Sequence, residues 1–274
     1  MKIVTTVFLI FLFNISFTNN MTQFIVKDDV QLICYYTLIF QPDSTDQYSH
    51  REITTVLQVG HALSKFQSYG NFFLDSVLQV EPDIDFLSYN KRFSPPRSAG
   101  QMYRIFKNSA TDSILTIDYI FPDSYIYAEQ ISFDWQLAEE SEEHMGYNVQ
   151  KATTSFGGRH WIAWFTPEIP ISEGPYKFHG LPGLILKIED SQKHYVFTLR
   201  SISQPKPDSG QIINNVRRSI ETTKDHFFKY NERFRQDVIG GMLSSGMPLH
   251  ENTDFDRIQE NIRRHNNPIE LTVD

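Results

Sequence analysis

Gly174-Pro175-Tyr176-Lys177-Phe178-His179-Gly180-Leu181-Pro182-Gly183-Leu184-Ile185-Leu186-Lys187-Ile188-Glu189-Asp190 is the stretch on which the fold turns. Pro182 presets the second position of a tight turn, and Gly183 offers the positive φ that a type II turn needs at the third. A strand rich in Leu and Ile starts at Leu184. The segment therefore reads as a stiff connection that delivers the chain into a buried strand, and the roles expected for Gly180, Leu181, Pro182, Gly183, Leu184 and Ile185 are structural.

The same grammar extends outward on both sides. Val30 to Phe40 is rich in β-branched and aromatic residues. Further β-prone runs follow at Glu52 to Val59, Met102 to Phe106, Ile114 to Phe121, Gln130 to Leu137, Tyr147 to Thr154, His160 to Thr166, Leu184 to Glu189 and Tyr195 to Arg200. Gln67 to Gln79 is open between a short helix and another extended piece, and Ser94 to Gly100 is a loop by its paired prolines and glycine. Closely spaced strands without long helices between them pair antiparallel rather than as βαβ units. Past the breaker cluster Pro205 to Gly210 the apolar spacing becomes helical. Thr222 with Asp225 suggests a cap, Phe227, Phe228, Phe234, Val238 and Ile239 share a helix face, and Gly240-Gly241 would stop that helix. A second helix is expected from Asp254 to about Arg264, ended by Asn266-Asn267-Pro268. The expected fold is α+β and mainly antiparallel β, a curved sheet or half-barrel with helices packed on it at the C-terminal end.

Residues 1–20 are basic, then apolar, then polar with small residues, which is the pattern of a secretory signal. The apolar run is about half the ~20 residues a membrane-spanning helix needs, so no transmembrane helix is expected in the mature chain. Residues 21–203 form the β body, and residues 204–274 form a linker and helical segment. Cleavage is expected between about Ser16 and Met21, with a periplasmic or extracellular destination. Among 274 residues, 33 are acidic against 25 Lys plus Arg, a net charge of -8 that argues against nucleic acid as a partner. A composition of 40% hydrophobic and 14% aromatic residues is sufficient for a sizeable core.

No catalytic motif stands out. Cys34 is the only cysteine, which excludes an internal disulfide and a cysteine-rich metal site, and it reads as a buried strand residue. His144, His160, His179 and His194 lack metal-ligand spacing, and no cofactor fingerprint is present. The acidic run Glu139 to Glu143 reads as a solvated hairpin tip. Ligand-side candidates are Arg159, Trp161 and Trp164. In a strand, Arg159, Trp161, Ala163 and Phe165 share one face and Trp164 the other, so one indole can serve the core while the other covers a groove, or both can pack in the core.

Beyond the hexapeptide Gly180 to Ile185, four further stretches read as landmarks in order: Gly146 to Thr154, Gly158-Arg159, Ala163 to Pro170 and Asn266 to Leu271. Together they resemble the GLPGLI family of secreted or envelope proteins from Bacteroidota, over nearly the whole mature chain. The resemblance implies an envelope location and brings no assigned activity or catalytic residues. Some members carry a cysteine near the position of Asn148, and its absence here leaves Cys34 without that partner. The half-barrel detail is by analogy with envelope carrier proteins. Three functions are therefore weighed. The first is a non-catalytic binding or accessory protein for an apolar ligand or an envelope partner, suited by 22 Phe and 13 Tyr. The second is an envelope hydrolase drawing on Glu168, Glu173, Glu189 and Asp190. The third is a structural partner of an outer-membrane protein with no small ligand.

Overall fold

A computed structural model describes residues 27–93, 103–205, 211–213, 219–245 and 253–273. The signal segment 1–20, the loop Ser94 to Gly100 and all of the breaker cluster except Pro205 lie outside these residues. The chain runs β1 (Lys27–Asp29), β2 (Leu32–Phe40), β3 (Arg51–Val59), β4 (Leu63–Ser68), α1 (Tyr69–Val80), α2 (Phe86–Phe93), β5 (Arg104–Asn108), β6 (Ser113–Ile120), β7 (Asp123–Glu129) and β8 (Gln136–His144). It continues with β9 (Tyr147–Phe156), β10 (Arg159–Thr166), β11 (Leu184–Asp190), β12 (Tyr195–Ser203), β13 (Gln211–Ile213), β14 (Ile220–Glu221), α3 (Lys224–Gln236), α4 (Val238–Ser244) and α5 (Phe255–Arg263).

Twelve strands make one sheet in the order β14-β7-β6-β5-β4-β3-β2-β12-β11-β10-β9-β8. It consists of two antiparallel meanders, β2 to β7 and β8 to β12, joined where β2 pairs with β12. Only the short β14 runs parallel to its neighbour. The sheet is curved and open. Its two faces are covered differently. On the outer face Val56, Leu63, Phe106, Leu115 and Ile117 pack under Tyr69 and Phe72 of α1. On the inner face Tyr36, Leu38, Phe66, Trp161, Phe165, Ile188 and Phe197 line a trough, which the Gly174–Gly183 loop and residues 266–271 fill. Alternation along β10 sets this facing, since Arg159, Trp161 and Ala163 turn inward while His160 is exposed.

Several expectations need correction. Gln130 to Trp135 is not a strand: Ile131, Phe133 and Trp135 alternate toward the core, but this stretch belongs to no ladder and connects β7 to β8. A period of two reports a buried face and not a strand partner. The acidic run Glu139 to Glu143 lies within β8, and the tip is Met145-Gly146. Because β8 is an edge of the sheet, a row of exposed carboxylates discourages another strand from adding there. Gln67 to Gln79 resolves mainly into α1, capped by Ser68, whose hydroxyl accepts from the Asn71 amide. Thr223, not Thr222, caps α3. Gly240 and Gly241 sit inside α4, where a Cβ on Gly241 would lie 2.7 Å from the Phe234 ring; they permit close approach rather than ending a helix.

The expected type II turn is also revised. Among the described glycines φ is positive at Gly180 but not at Gly183. Instead the Gly183 amide donates to the Leu181 carbonyl at 2.8 Å, a three-residue turn around Pro182. Glycine is needed at 183 for another reason: a Cβ there would stand 2.0 Å from the Thr166 carbonyl oxygen.

Candidate functional site

The Gly174–Gly183 loop dips into the trough and carries Tyr176, Lys177 and Phe178, all buried, to its floor. Phe178 meets Trp161 at 4.7 Å between ring centroids. Lys177, with no exposed surface, pairs with Glu129 of β7 and, at 2.7 Å, with Glu270. Lys224 at the start of α3 bridges the same two carboxylates at 3.1 and 2.8 Å, and the Tyr176 hydroxyl donates to Glu270. Burial alone would raise the Glu270 carboxyl; the ammonium groups of Lys177 and Lys224 overcome it and hold the group below its ordinary value. At the other side of the loop, Lys107 of β5 pairs with Glu173 and donates to the Gly174 and Phe178 carbonyls at 2.8 and 3.1 Å.

Residues 266–271 form a strap across the trough, and Arg159 holds it. Its Nε donates to the Ile269 carbonyl at 3.0 Å, and Nη2 donates to Asn267 Oδ1 and the Pro268 carbonyl at 2.6 and 2.7 Å. Nη1 pairs with Asp190 at 3.1 Å. The Tyr195 hydroxyl donates to the Asn267 carbonyl, and the Leu271 amide donates to the Gly157 carbonyl. A planar guanidinium with five donors suits this multiple grip.

Pro268 of the strap lines two openings among the described residues. A groove of about 1090 Å³ runs between α3, α5 and the strap, with Phe228, Pro268, Leu271 and Val273 as its apolar surface and Lys229, Arg233, Glu232 and Arg263 around it. A smaller recess of about 200 Å³ lies under the strap, lined by Phe40, Tyr103, Asp118, Tyr195, Pro268 and Ile269, among others. Burial pushes the Asp118 carboxyl up to about 6, against the lowering effects of the Tyr119 amide and Lys177.

Of the residues singled out from sequence, Arg159 and Trp161 face the trough together, with the Trp161 indole donating to the Phe156 carbonyl. Trp164 is half-buried on the other side of β10. Gly180 is exposed, Leu181 packs in the core, and Leu184 and Ile185 begin β11. The four carboxylates of the hydrolase reading do not converge. Glu168 accepts from the Asn148 amide, Glu173 is held by Lys107, Glu189 pairs with Lys187 and Asp190 with Arg159. Among the described residues no three His, Cys, Asp or Glu side chains are gathered as metal ligands. Cys34 is buried, and burial pushes its thiol up to about 12, with Glu173 adding to the rise. No helix among the described residues is long and apolar enough to cross a membrane.

Sequence reasoning missed Lys177, Glu129, Glu270 and Asp118. A lysine between two aromatic residues in the distinctive loop, and one acid in the Pro268-Ile269-Glu270-Leu271 landmark, were the available signals. Asp118 sits between Ile117 and Tyr119 in a run whose facing the pattern leaves undecided.

Comparison with solved structures finds similar chains, among them "Structure of PNGF-II in P21 space group" and "Structure of PNGF-II in C2 space group". Each is 13% identical, with a TM-score of 0.49, covering 76% of this chain and 34% of that one. The chain thus spans about a third of their length. A search of curated proteins gave no match. The profile of a family described as "Protein of unknown function (Porph_ging)" matches residues 158–187, the stretch that contains both Arg159 of the strap clamp and Lys177 of the buried ion cluster.

Proposed function

We propose that the protein is an exported envelope protein of the GLPGLI kind that binds an apolar ligand, without catalysis, in the groove between α3, α5 and the strap. The observation that carries this is the groove itself, about 1090 Å³ and open, with Phe228, Pro268, Leu271 and Val273 offering apolar surface inside a charged border. Leu271 is 51% exposed, an apolar side chain left without cover among the described residues. The charges of the trough support the same reading. Glu173 and Asp190 are spent on holding the loop and strap, and Glu168 and Glu189 are bonded elsewhere, so the four acids of the hydrolase alternative are not brought together as a cooperating pair. In this proposal Arg159 serves binding from behind, by fixing the strap that forms one wall, and Trp161 supports Phe178 on the floor of the trough.

The test uses protein purified from its own envelope, analysed by mass spectrometry for co-purifying apolar molecules, and titrated with anilinonaphthalene sulfonate. Saturable probe binding that Leu271→Asp and Phe228→Asp each weaken at least about tenfold is expected. Turnover of ester, glycoside or peptide substrates that survives both substitutions, with no probe binding, overturns the proposal.

A further inference from the structure

The trough contains five inward-facing carboxylates of known surroundings, and four of them have a cationic partner within 4 Å: Glu129, Glu173, Asp190 and Glu270. Asp118 is the exception. Its Oδ1 accepts from the Tyr119 amide at 2.8 Å, and no Lys or Arg among the described residues pairs with it. The ladder places Arg104 opposite Ile117, so the next pair along is Tyr103 beside Asp118. Tyr103 is 8% exposed, and its hydroxyl has no hydrogen-bond partner among the described residues. A lone carboxylate and an orphan hydroxyl on the wall of one recess are each costly unless something satisfies them.

We infer that the recess under the strap binds a small primary ammonium group, with Asp118 as its counter-ion and the Tyr103 hydroxyl oxygen accepting from it. An anion would meet the Asp118 charge, and a neutral alcohol would leave that charge uncompensated. An ammonium supplies three donors and a positive charge, and the aromatic side chains of Phe40 and Tyr103 line the recess. The groups that surround Asp118 do not take this place. Lys177, from the loop, is committed to Glu129 and Glu270. Arg235, from α3, donates to the Ile262 and His265 carbonyls, and the ring of His265, after α5, is bonded to the Asn261 carbonyl. Glu270, from the strap, faces the two lysines. A volume of about 200 Å³ sets the ligand size at a few heavy atoms beyond the ammonium. The Asp118 carboxyl titrates near 6, so the site is charged at pH 7.5 and mostly neutral at pH 5.

The experiment is calorimetric titration and thermal melting of the full chain with propylammonium chloride, beside propanol and sodium propionate at matched ionic strength. Saturable binding and a raised melting temperature are expected for propylammonium alone, with affinity falling about tenfold from pH 7.5 to 5. Asp118→Asn abolishes it and Tyr103→Phe weakens it several-fold, in proteins whose ligand-free melts show them folded. Phe228→Asp, on α3 in the groove and outside the strap, leaves it unchanged, which separates this site from the one proposed above. Equal effects of the three probes, retention of amine binding by Asp118→Asn, or no response to propylammonium at tens of millimolar overturns the inference.

Discussion

Glu270 and Asp118 face the same trough and belong to opposite electrostatic regimes. Glu270 meets two ammonium groups and a phenol, and its carboxyl is held below its ordinary value in spite of burial. Asp118 has a single backbone amide and a recess, and burial wins. The difference teaches that burial does not decide ionisation here; the availability of a fixed counter-charge does. On the Lys177 side, charge has become architecture that ties the loop, β7, α3 and the strap together. On the Asp118 side, Lys177 acts on the carboxylate without pairing with it, and no Lys or Arg among the described residues forms an ion pair there.

The strongest way to break the paired side is Arg159→Ala, which strands Asp190 and releases three carbonyl and amide contacts to the strap. Loss of about 3–5 kcal/mol is expected in urea melts, and Arg159→Lys recovers little of it, because a point charge does not reproduce the fork. Gly183→Val strikes the loop that carries Lys177. With a Cβ 2.0 Å from the Thr166 carbonyl, Thr166 and Gly183 must separate, at a cost of about 3 kcal/mol seen as a lowered denaturant midpoint. Glu270→Gln removes one of two shared carboxylates, while Glu129 still serves both lysines, and about 2–3 kcal/mol is expected. Its sign with pH follows from a lowered carboxyl value. The stabilisation is present above the unfolded value near 4 and disappears as pH falls through the folded one, so wild type and variant converge on acidification.

The smallest effect runs the other way. Asp118 is raised in the folded state, so folding is penalised once the unfolded carboxyl ionises, and the penalty grows from about pH 4 until it is complete above about 6. Asp118→Asn therefore gains on wild type across that window, by on the order of 1–2 kcal/mol after allowance for partial exposure. Thermal melts at pH 4 and 7.5 read the difference, and a gap that does not widen with pH contradicts the unpaired state of Asp118.

Much of the β body was legible because its signals are local. Breaker clusters separate the strands, and alternation in β10 put Arg159 and Trp161 on one face and Trp164 on the other. The helix from Phe255 was readable from Phe255, Ile258 and Ile262 at steps of three and four, and Asp254, expected as its first residue, proves to be its cap. Other features escaped because their causes are distant in sequence. The inward alternation of Ile131, Phe133 and Trp135 imitates a strand, yet whether a ladder forms depends on a partner that sequence does not name. Gly183 announced a turn, but what requires glycine is the Thr166 carbonyl across the fold. The Lys177 and Glu270 pair is separated by 93 residues, and neither residue type at either position states which charge it will meet.

The strap also bears on the order in which the molecule can be assembled. Its partners Gln41, Gly157, Lys177 and Tyr195 all precede it, Gln41 by 226 residues, and the junction of the two meanders pairs β2 with a strand some 160 residues later. During synthesis the first meander is therefore available long before the segment that seals its inner face. Contacts of such long range are formed late and slowly. A chain released only through α5 would leave the aromatic floor around Trp161 and Phe178 open to water and to other unfolded chains, so the yield of native protein depends on six residues arriving before those surfaces find one another.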